Sequence, residues 1–317
     1  MATSSLVIVL FCLFSLWIGS QLLLSGVIKI SKKTGFTQTF IGVTILSICI
    51  NLPEILVSLS AAMQQWRGVN SSGLAMGNVI GSSISQITLV VGLIGLTNSI
   101  KVNKKVLLKH GLMLVLSTIL LQVFASDGYI SRSDGILLMM FYLGYFFTLE
   151  SSTTQSMLKV KATKLYRNVN SYALLSTILG LTSMILASHY LVVHVLLLTE
   201  FLEISQTLLG IFLLGLGISL PELLVIGGAL KRNSASLSLG TLLGNNIVAI
   251  LIAIGSSAAL VGWRVERQLV IFDLPFMLLS TVIFILFLFT RTRLDKKESL
   301  LLISLYGIYA ILKALGF

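Results

Sequence analysis

Leu52-Pro53-Glu54 and Leu220-Pro221-Glu222 are the two tripeptides on which the reading of this chain turns. They stand 168 residues apart, each inside an apolar run, and use two of the three prolines. The register holds around them: Gly42 matches Gly210, Leu46 matches Leu214, Leu56 matches Leu224, and Val57 matches Val225. Further along, Gly77-Asn78-Val79-Ile80-Gly81-Ser82-Ser83-Ile84 matches Gly240-Thr241-Leu242-Leu243-Gly244-Asn245-Asn246-Ile247 at an offset of 163. The repeated unit is therefore a helix with a central Pro-Glu, a short turn, and a helix opening with GxxxG.

The surroundings are those of a membrane protein. Of 317 residues, 56% are apolar and only 10% charged, against about 25% charged in an ordinary soluble domain. Too few charges remain to coat a soluble surface, and the hydrophobicity excludes disorder. Cys12 and Cys49 each sit in an apolar run without a CxxC or a Cys/His cluster, so no thiolate zinc site is expected. Apolar stretches fall at about 6–28, 39–63, 74–97, 106–124, 135–150, 172–196, 207–230, 238–261, 269–290 and 299–316. Each approaches the ~20 residues that cross a bilayer as helix. Continuous apolar runs, not alternation, favour helices over a barrel. The first stretch lacks a basic leader and is too long for a signal core, so it reads as a mature helix. The expected fold is all-α, with about ten transmembrane helices in two five-helix halves.

Numbering the flanks alternately from an outer N-terminus puts 17 of the 22 Lys and Arg residues on one side and 5 on the other. The richer side is cytoplasmic by the positive-inside rule, and both termini face out. The same split explains the net charge of +11 without nucleic acid. The polar, basic segment about 151–171 halves the chain. Residues 1–155 are expected to form the N-terminal half, with a first repeat at about 39–97. Residues 156–170 form a cytoplasmic linker, and 171–317 the C-terminal half, with a second repeat at about 207–261. The turn of the first repeat falls outside and that of the second inside, so the copies are inverted. Inverted repeats with interrupted helices point to a secondary transporter whose site lies at the midplane.

Glu54 and Glu222 lie mid-span, where a carboxylate costs roughly 2.5–3.5 kcal/mol to insert. Two such costs at repeat-related positions point to cation coordination, since hard divalent cations take oxygen ligands and two carboxylates neutralise one. A pair of protonated structural acids is the bland alternative. Pro53 and Pro221 each remove a backbone donor, freeing carbonyls near Ser47–Ile50 and Gly215–Ile218. Asn51 and Ser219 stand three residues before each glutamate, on its helix face. Ser82, Gln86 and Asn245 offer further neutral oxygens from the GxxxG helices. Each of these polar residues fits either a ligand or interhelical glue worth roughly 0.6 kcal/mol. Gly77, Gly81, Gly240 and Gly244 read as close-packing positions. Asp273 is expected near the outer interface, Glu150 near the cytoplasmic face, and His110, His189 and His194 at interfaces without partners.

With Leu-Pro-Glu in both repeats and Gly-Asn-Val-Ile-Gly-Ser downstream, the whole chain resembles the Ca²⁺:cation antiporter superfamily, and within it the prokaryotic sodium/calcium exchangers. The resemblance implies exchange of Ca²⁺ against Na⁺ by alternating access, with Glu54 and Glu222 binding the two ions in turn. The helices at about 6–28 and 172–196 would slide past a fixed core. It implies no enzyme activity and no cofactor. The partners are Ca²⁺, a monovalent counter-ion and the bilayer, in the plasma (inner) membrane of a prokaryote. The sequence departs from the family pattern Gly-Thr-Ser-x-Pro-Glu, because Ile50 and Ile218 replace both threonines and leave only backbone carbonyls there. The family's Asn or Asp two residues after Gly-Ser-x-Ile is Gln86 in one repeat and Ala249 in the other. Exchange of Ca²⁺ against protons at the same glutamates is therefore a second reading, and Asn51 before Glu54 resembles the proton-coupled branch. A member with altered or lost transport is a third. A channel fits an inverted intrachain repeat less well, and an intramembrane acid protease would need paired aspartates.

Overall fold

A computed structural model of the chain describes residues 2–34, 46–97, 100–101, 104, 107–151, 171–219, 235–291 and 293–316. Pro221, Glu222 and the expected linker at 156–170 lie outside them. Helix dominates, because uninterrupted apolar side chains leave the backbone to satisfy its own hydrogen bonds. Among the described residues, six helices are long and apolar enough to cross a membrane: Thr3–Ile30, Ser72–Leu96, Leu107–Ala125, Ser171–Leu202, Gly240–Val261 and Leu269–Thr290. The other four apolar stretches carry Leu46–Ile50 with Leu52–Trp66, Arg132–Ser151, Gln206–Ser219 and Lys296–Ala314.

The two longest helices, Ala2–Thr34 and Ser171–Leu202, pack on each other. A Cβ at Gly180 would lie 2.6 Å from the Gly19 carbonyl oxygen, so backbones touch there. The Ser25 and Ser176 hydroxyls are 3.1 Å apart, and His194 Nδ1 is 3.3 Å from Ser5 Oγ. Their outer faces carry exposed Phe11, Phe14, Tyr172 and Leu186, as lipid-facing surfaces do. The pair leans on Leu52–Trp66, where the Ser60 and Ser188 hydroxyls meet at 3.1 Å.

Two short strand pairings join the two halves among the described residues. Residues Ile100–Lys101 pair antiparallel with Arg293–Leu294, and Tyr129–Ile130 with Trp263–Arg264. The repeat offset of 163 carries Ile100 to Trp263 and Ile130 to Arg293, the neighbour of Leu294, so it maps one pairing onto the other to within one residue. Each pairing also joins segments that the charge split puts on the same side of the membrane. One-residue insertions repeat as well. The π-helical turn Gln86–Val90 has its mate at Ala249–Ile254, and Leu107–Gly111 at Leu269–Asp273. Such turns concentrate at functional sites.

Asp273 is fully buried between helices. Its carboxylate accepts a hydrogen bond from Tyr309 Oη at 2.7 Å and pairs with Lys313 Nζ at 2.6 Å. Tyr309 stacks on Phe272 and packs against Phe276 and Phe212, tying the last two helices to Gln206–Ser219. The sequence gives no hint of this pair, because its members are 40 residues apart on different helices. Lys313→Met is expected to destabilise the protein by about 3–5 kcal/mol, by stranding a buried carboxylate. Adding Asp273→Asn should restore most of the loss in detergent unfolding. Equal losses in the single and double variants would mean that the pair is not coupled. His110 is also buried, with Nδ1 hydrogen-bonded to Tyr145 Oη; neither it nor His194 lacks a partner, as the interfacial reading had supposed.

Candidate ion-binding site

The interrupted helix supplies the centre. Leu46–Ile50 stops at Asn51 (φ −83°, ψ 0°) and resumes as Leu52–Trp66 with Pro53 in its first turn. Proline is tolerated there because first-turn N–H groups have no helical partner. The Asn51 side chain partly repairs the break: its Nδ2 donates to the Ser47 carbonyl at 2.8 Å, beside the Asn51 N–H at 3.2 Å. That carbonyl, expected from sequence to be free for an ion, is thus doubly engaged. By helical counting, the carbonyl that Pro53 leaves without a donor is that of Cys49.

Ser47, Asn51, Glu54 and Ser58 all lie on one helical stripe, by their spacing of four, three and four. All four are at most 1% exposed, and Glu54 is fully buried. Asn51 Oδ1, Ser47 Oγ and Ser58 Oγ have no hydrogen-bond partner among the described residues. Ile50, also buried, offers only its carbonyl.

Ser72–Ser85 crosses the helix Gln206–Ser219 backbone to backbone. A Cβ at Gly77 would stand 2.6 Å from the Thr207 carbonyl oxygen, one at Gly81 2.5 Å from Ile211 Cα, and one at Gly215 2.6 Å from the Ser82 N. The packing role read for Gly77 and Gly81 is what the structure gives them, with Gly210 and Gly215 as counterparts. For Gly240 and Gly244 only burial is described. The crossing sets Asn78 and Ser82, each next to a glycine, beside the second repeat.

Among the described residues, two hydrogen bonds then join the repeats. Ser85 Oγ donates to Ser219 Oγ at 3.3 Å, and Asn246 Nδ2 donates to Gln86 Oε1 at 2.9 Å. Ser219 Oγ in turn donates to the Gly215 carbonyl at 2.6 Å, and Ser82 Oγ to the Val79 carbonyl at 3.0 Å. Gly215 is therefore engaged like Ser47, whereas the Ser82 oxygen keeps its lone pairs. Ile218 is buried and apolar, like Ile50. Asn245 is fully buried, and both its side-chain polar atoms lack partners among the described residues. The same holds for Asn78, for Ser83 Oγ and for Asn246 Oδ1. Glu222 lies outside the described residues.

A buried polar atom without a partner costs about 1–3 kcal/mol. Most such atoms among the described residues fall on the repeat helices and are oxygens. Hard cations seek that chemistry. The sequence reading singled out Asn51, Ser82, Gln86, Ser219 and Asn245, and missed Ser58, Asn78, Ser83 and Asn246. A signal was available for Ser58, one helical turn past Glu54, and for Asn246, beside Asn245 in the same buried helix.

The family described as sodium/calcium exchanger protein matches residues 4–149 and 172–315. The chain belongs to that family. The gap in the match coincides with the polar segment that halves the sequence. Among exchanger relatives, "Sodium/calcium exchanger MaX1" of Methanosarcina acetivorans is 26% identical, covering 98% of this chain and 99% of that protein. A membrane protein of Methanocaldococcus jannaschii, named MJ0091, is 31% identical over 77% of this chain and 78% of its own length. A solved structure of the sodium-calcium exchanger NCX_Mj, soaked with Na⁺ and Sr²⁺, superposes with a TM-score of 0.68 at 27% identity, covering 98% of this chain and 99% of that one. The family consists of integral membrane transporters rather than enzymes, and exchanges Ca²⁺ against monovalent cations.

Proposed function

We propose that this chain is a secondary active antiporter that exchanges Ca²⁺ against Na⁺ by alternating access. Glu54 and Glu222 serve as shared ligands for the two ions. The observation that carries the reading is the fully buried Glu54 within a stripe of buried oxygens at the interrupted helix. Asn51, Ser82, Ser219, Gln86 and Asn245 contribute neutral oxygens to the same cluster. Ile50 and Ile218 contribute carbonyls, with the Ser47 and Gly215 carbonyls as supports bonded to Asn51 and Ser219.

The architecture proposed is ten spans in two inverted halves, 1–155 and 171–317, joined by a cytoplasmic linker at 156–170. Both termini face outward from the inner membrane of a prokaryote. The symmetric strand pairings, the repeated π turns and the 17-to-5 charge split support it. The helices Ala2–Thr34 and Ser171–Leu202, in mutual contact and lipid-exposed, form the moving element.

Proton-driven exchange is the second reading. It is favoured by Ala249, which is buried where the first repeat carries Gln86 and supplies no side-chain oxygen for a further Na⁺. Ca²⁺ uptake into proteoliposomes under an outward Na⁺ gradient, an outward proton gradient, or neither separates the readings. Na⁺-driven uptake is the expected result. Uptake driven by protons alone would transfer the coupling to the second reading, and none under any gradient would overturn both.

A further inference from the structure

The last helix of each half packs on the other half. Lys296–Ala314 lies against the π turn Gln86–Val90 and its continuation Val91–Thr97, and Arg132–Ser151 lies against Ala249–Ile254 and Gly255–Val261. Each of these two helices is held near both ends. Near its start the hold is a close crossing at a glycine. A Cβ at Gly92 would lie 2.8 Å from the Ser299 carbonyl oxygen, and one at Gly255 3.1 Å from the Gly135 carbonyl oxygen. Toward its end the hold is a tyrosine. Tyr309 Oη donates to Asp273 at 2.7 Å, and Tyr145 Oη is hydrogen-bonded to His110 Nδ1. Asp273 and His110 both belong to π turns, Leu269–Asp273 and Leu107–Gly111. The two arrangements are copies of one another. An offset of 163 carries Gly92 to Gly255 and His110 to Asp273, and one of 164 carries Gly135 to Ser299 and Tyr145 to Tyr309. The tyrosine is common to both copies, whereas its partner is an imidazole in one and a carboxylate in the other. The shared feature is therefore the anchorage of the helix.

We infer that Tyr309 and Tyr145 are positioning residues for ion exchange, each holding its helix as a strut behind the π turn of the opposite repeat. The inference rests on the reading of Gln86 as an ion ligand. A π turn closes its hydrogen bonds one residue further along than the α-helix on either side. The surplus residue can sit at more than one place along the helix unless packing from outside fixes it. Gln86 is the first residue of its turn, and its Oε1 accepts the Asn246 amide at 2.9 Å. A small slip of the turn thus displaces both a site oxygen and a bond between the repeats. Groups that bind an ion need a supporting layer that holds them to about 0.5 Å, and the strut is that layer. The other strut backs Ala249, which brings no side-chain oxygen. Tyr309 is therefore the tyrosine whose loss reaches the ion through Gln86.

The test is Ca²⁺ uptake by the full chain in proteoliposomes, under the counter-ion gradient that drives it. KM for Ca²⁺ and the maximal rate are measured for the parent, Tyr309→Phe, Gln86→Ala and the double variant, together with their melting temperatures in detergent. Tyr309→Phe keeps the ring among Phe272, Phe276 and Phe212 and removes only the hydroxyl. Its KM should rise about 2–10-fold, the worth of one neutral hydrogen bond, with a smaller change in maximal rate. In the Gln86→Ala background the same substitution should leave KM where it is, while the melting temperature falls alike in both backgrounds. A hydroxyl that only stabilises the fold would not produce that difference in KM. Tyr309→Phe with parental KM would overturn the inference. So would a KM shift that persists without Gln86, which would run instead through Phe212 and the helix of Ser219. A parental KM in Gln86→Ala would remove that residue from the site and the inference with it, leaving the antiporter reading in place. No uptake by the parent would overturn both. Should Tyr309→Phe not fold, Gly92→Ala displaces the same strut at its other hold and should show the same dependence on Gln86. Failure of both variants to fold would make the strut a structural part and overturn its positioning role.

Discussion

Glu54→Gln is expected to abolish Ca²⁺ flux while leaving a folded protein at least as stable as the parent in the absence of divalent ions. The two halves of that expectation have one cause. An ionised carboxylate at mid-span is a burden on folding, roughly 2.5–3.5 kcal/mol on the insertion scale, and glutamine relieves most of it at nearly constant volume. Removing the charged partner of a desolvated ion costs binding about 2–5 kcal/mol, or roughly 30-fold to several thousand-fold. Glu222→Gln should behave alike if the repeats share the ion equally. The measurement pairs transport in proteoliposomes with detergent unfolding, with and without Ca²⁺. The parent should gain stability from Ca²⁺ as mass action requires, about 2.7 kcal/mol at a hundred times Kd; the variant should gain none. A Glu54→Gln protein with parental flux would remove this residue from the site. One that fails to fold would make it a structural acid.

Gly81→Val should be the most damaging substitution of a residue that bears no charge. Its new Cβ would stand 2.5 Å from Ile211 Cα and from the Ile211 carbonyl oxygen. Both are backbone atoms, so no rotamer relieves the clash and the two helices must separate. Overpacking a core typically costs about 1–3 kcal/mol. A backbone-on-backbone clash at a crossing that aligns Asn78, Ser82 and Ser219 should exceed about 3 kcal/mol and remove transport with it. Gly144→Ala and Gly307→Ala are the matched controls: nothing lies within 4 Å of either new Cβ, in Arg132–Ser151 or in Lys296–Ala314. Both should be neutral or stabilising by up to about 1 kcal/mol, as helix propensity gives for alanine over glycine. Melting temperatures in detergent would test all three; a Gly81→Val protein that melts with the parent would refute the close crossing.

Several features were legible before any coordinates because they are periodic or counted. Apolar runs of spanning length mark helices, and the offset of 168 exposes a duplicated Pro-Glu helix. The close approach of Gly77 and Gly81 could be read because a missing side chain in a membrane helix has few other uses. The features that escaped are long-range partners. Nothing local says that Lys313 neutralises Asp273, that Tyr145 meets His110, or that Asn246 spends its amide on Gln86. The two repeat alignments place Ser219 opposite Asn51, yet its hydroxyl is bonded to Ser85 of the other half. Pairing of that kind is decided by the crossing of helices rather than by the register of a repeat. The Ser47 carbonyl illustrates the same limit, since proline chemistry predicted a vacancy there that the Asn51 amide fills.

The two short strand pairings also set a timetable for synthesis. Ile100 has its partner in Leu294, 194 residues downstream, and Ile130 has its partner in Trp263, 133 residues downstream. At translation rates of about 5–20 residues per second, the first segment waits roughly 10–40 s for its mate to leave the ribosome. The glycine crossing adds a second delay, because Gly81 packs against Ile211 in the other half. A nascent chain halted at the central segment would therefore stand in the bilayer with its helices inserted and both strand edges open, as a client for whatever insertase or quality-control protease meets it first.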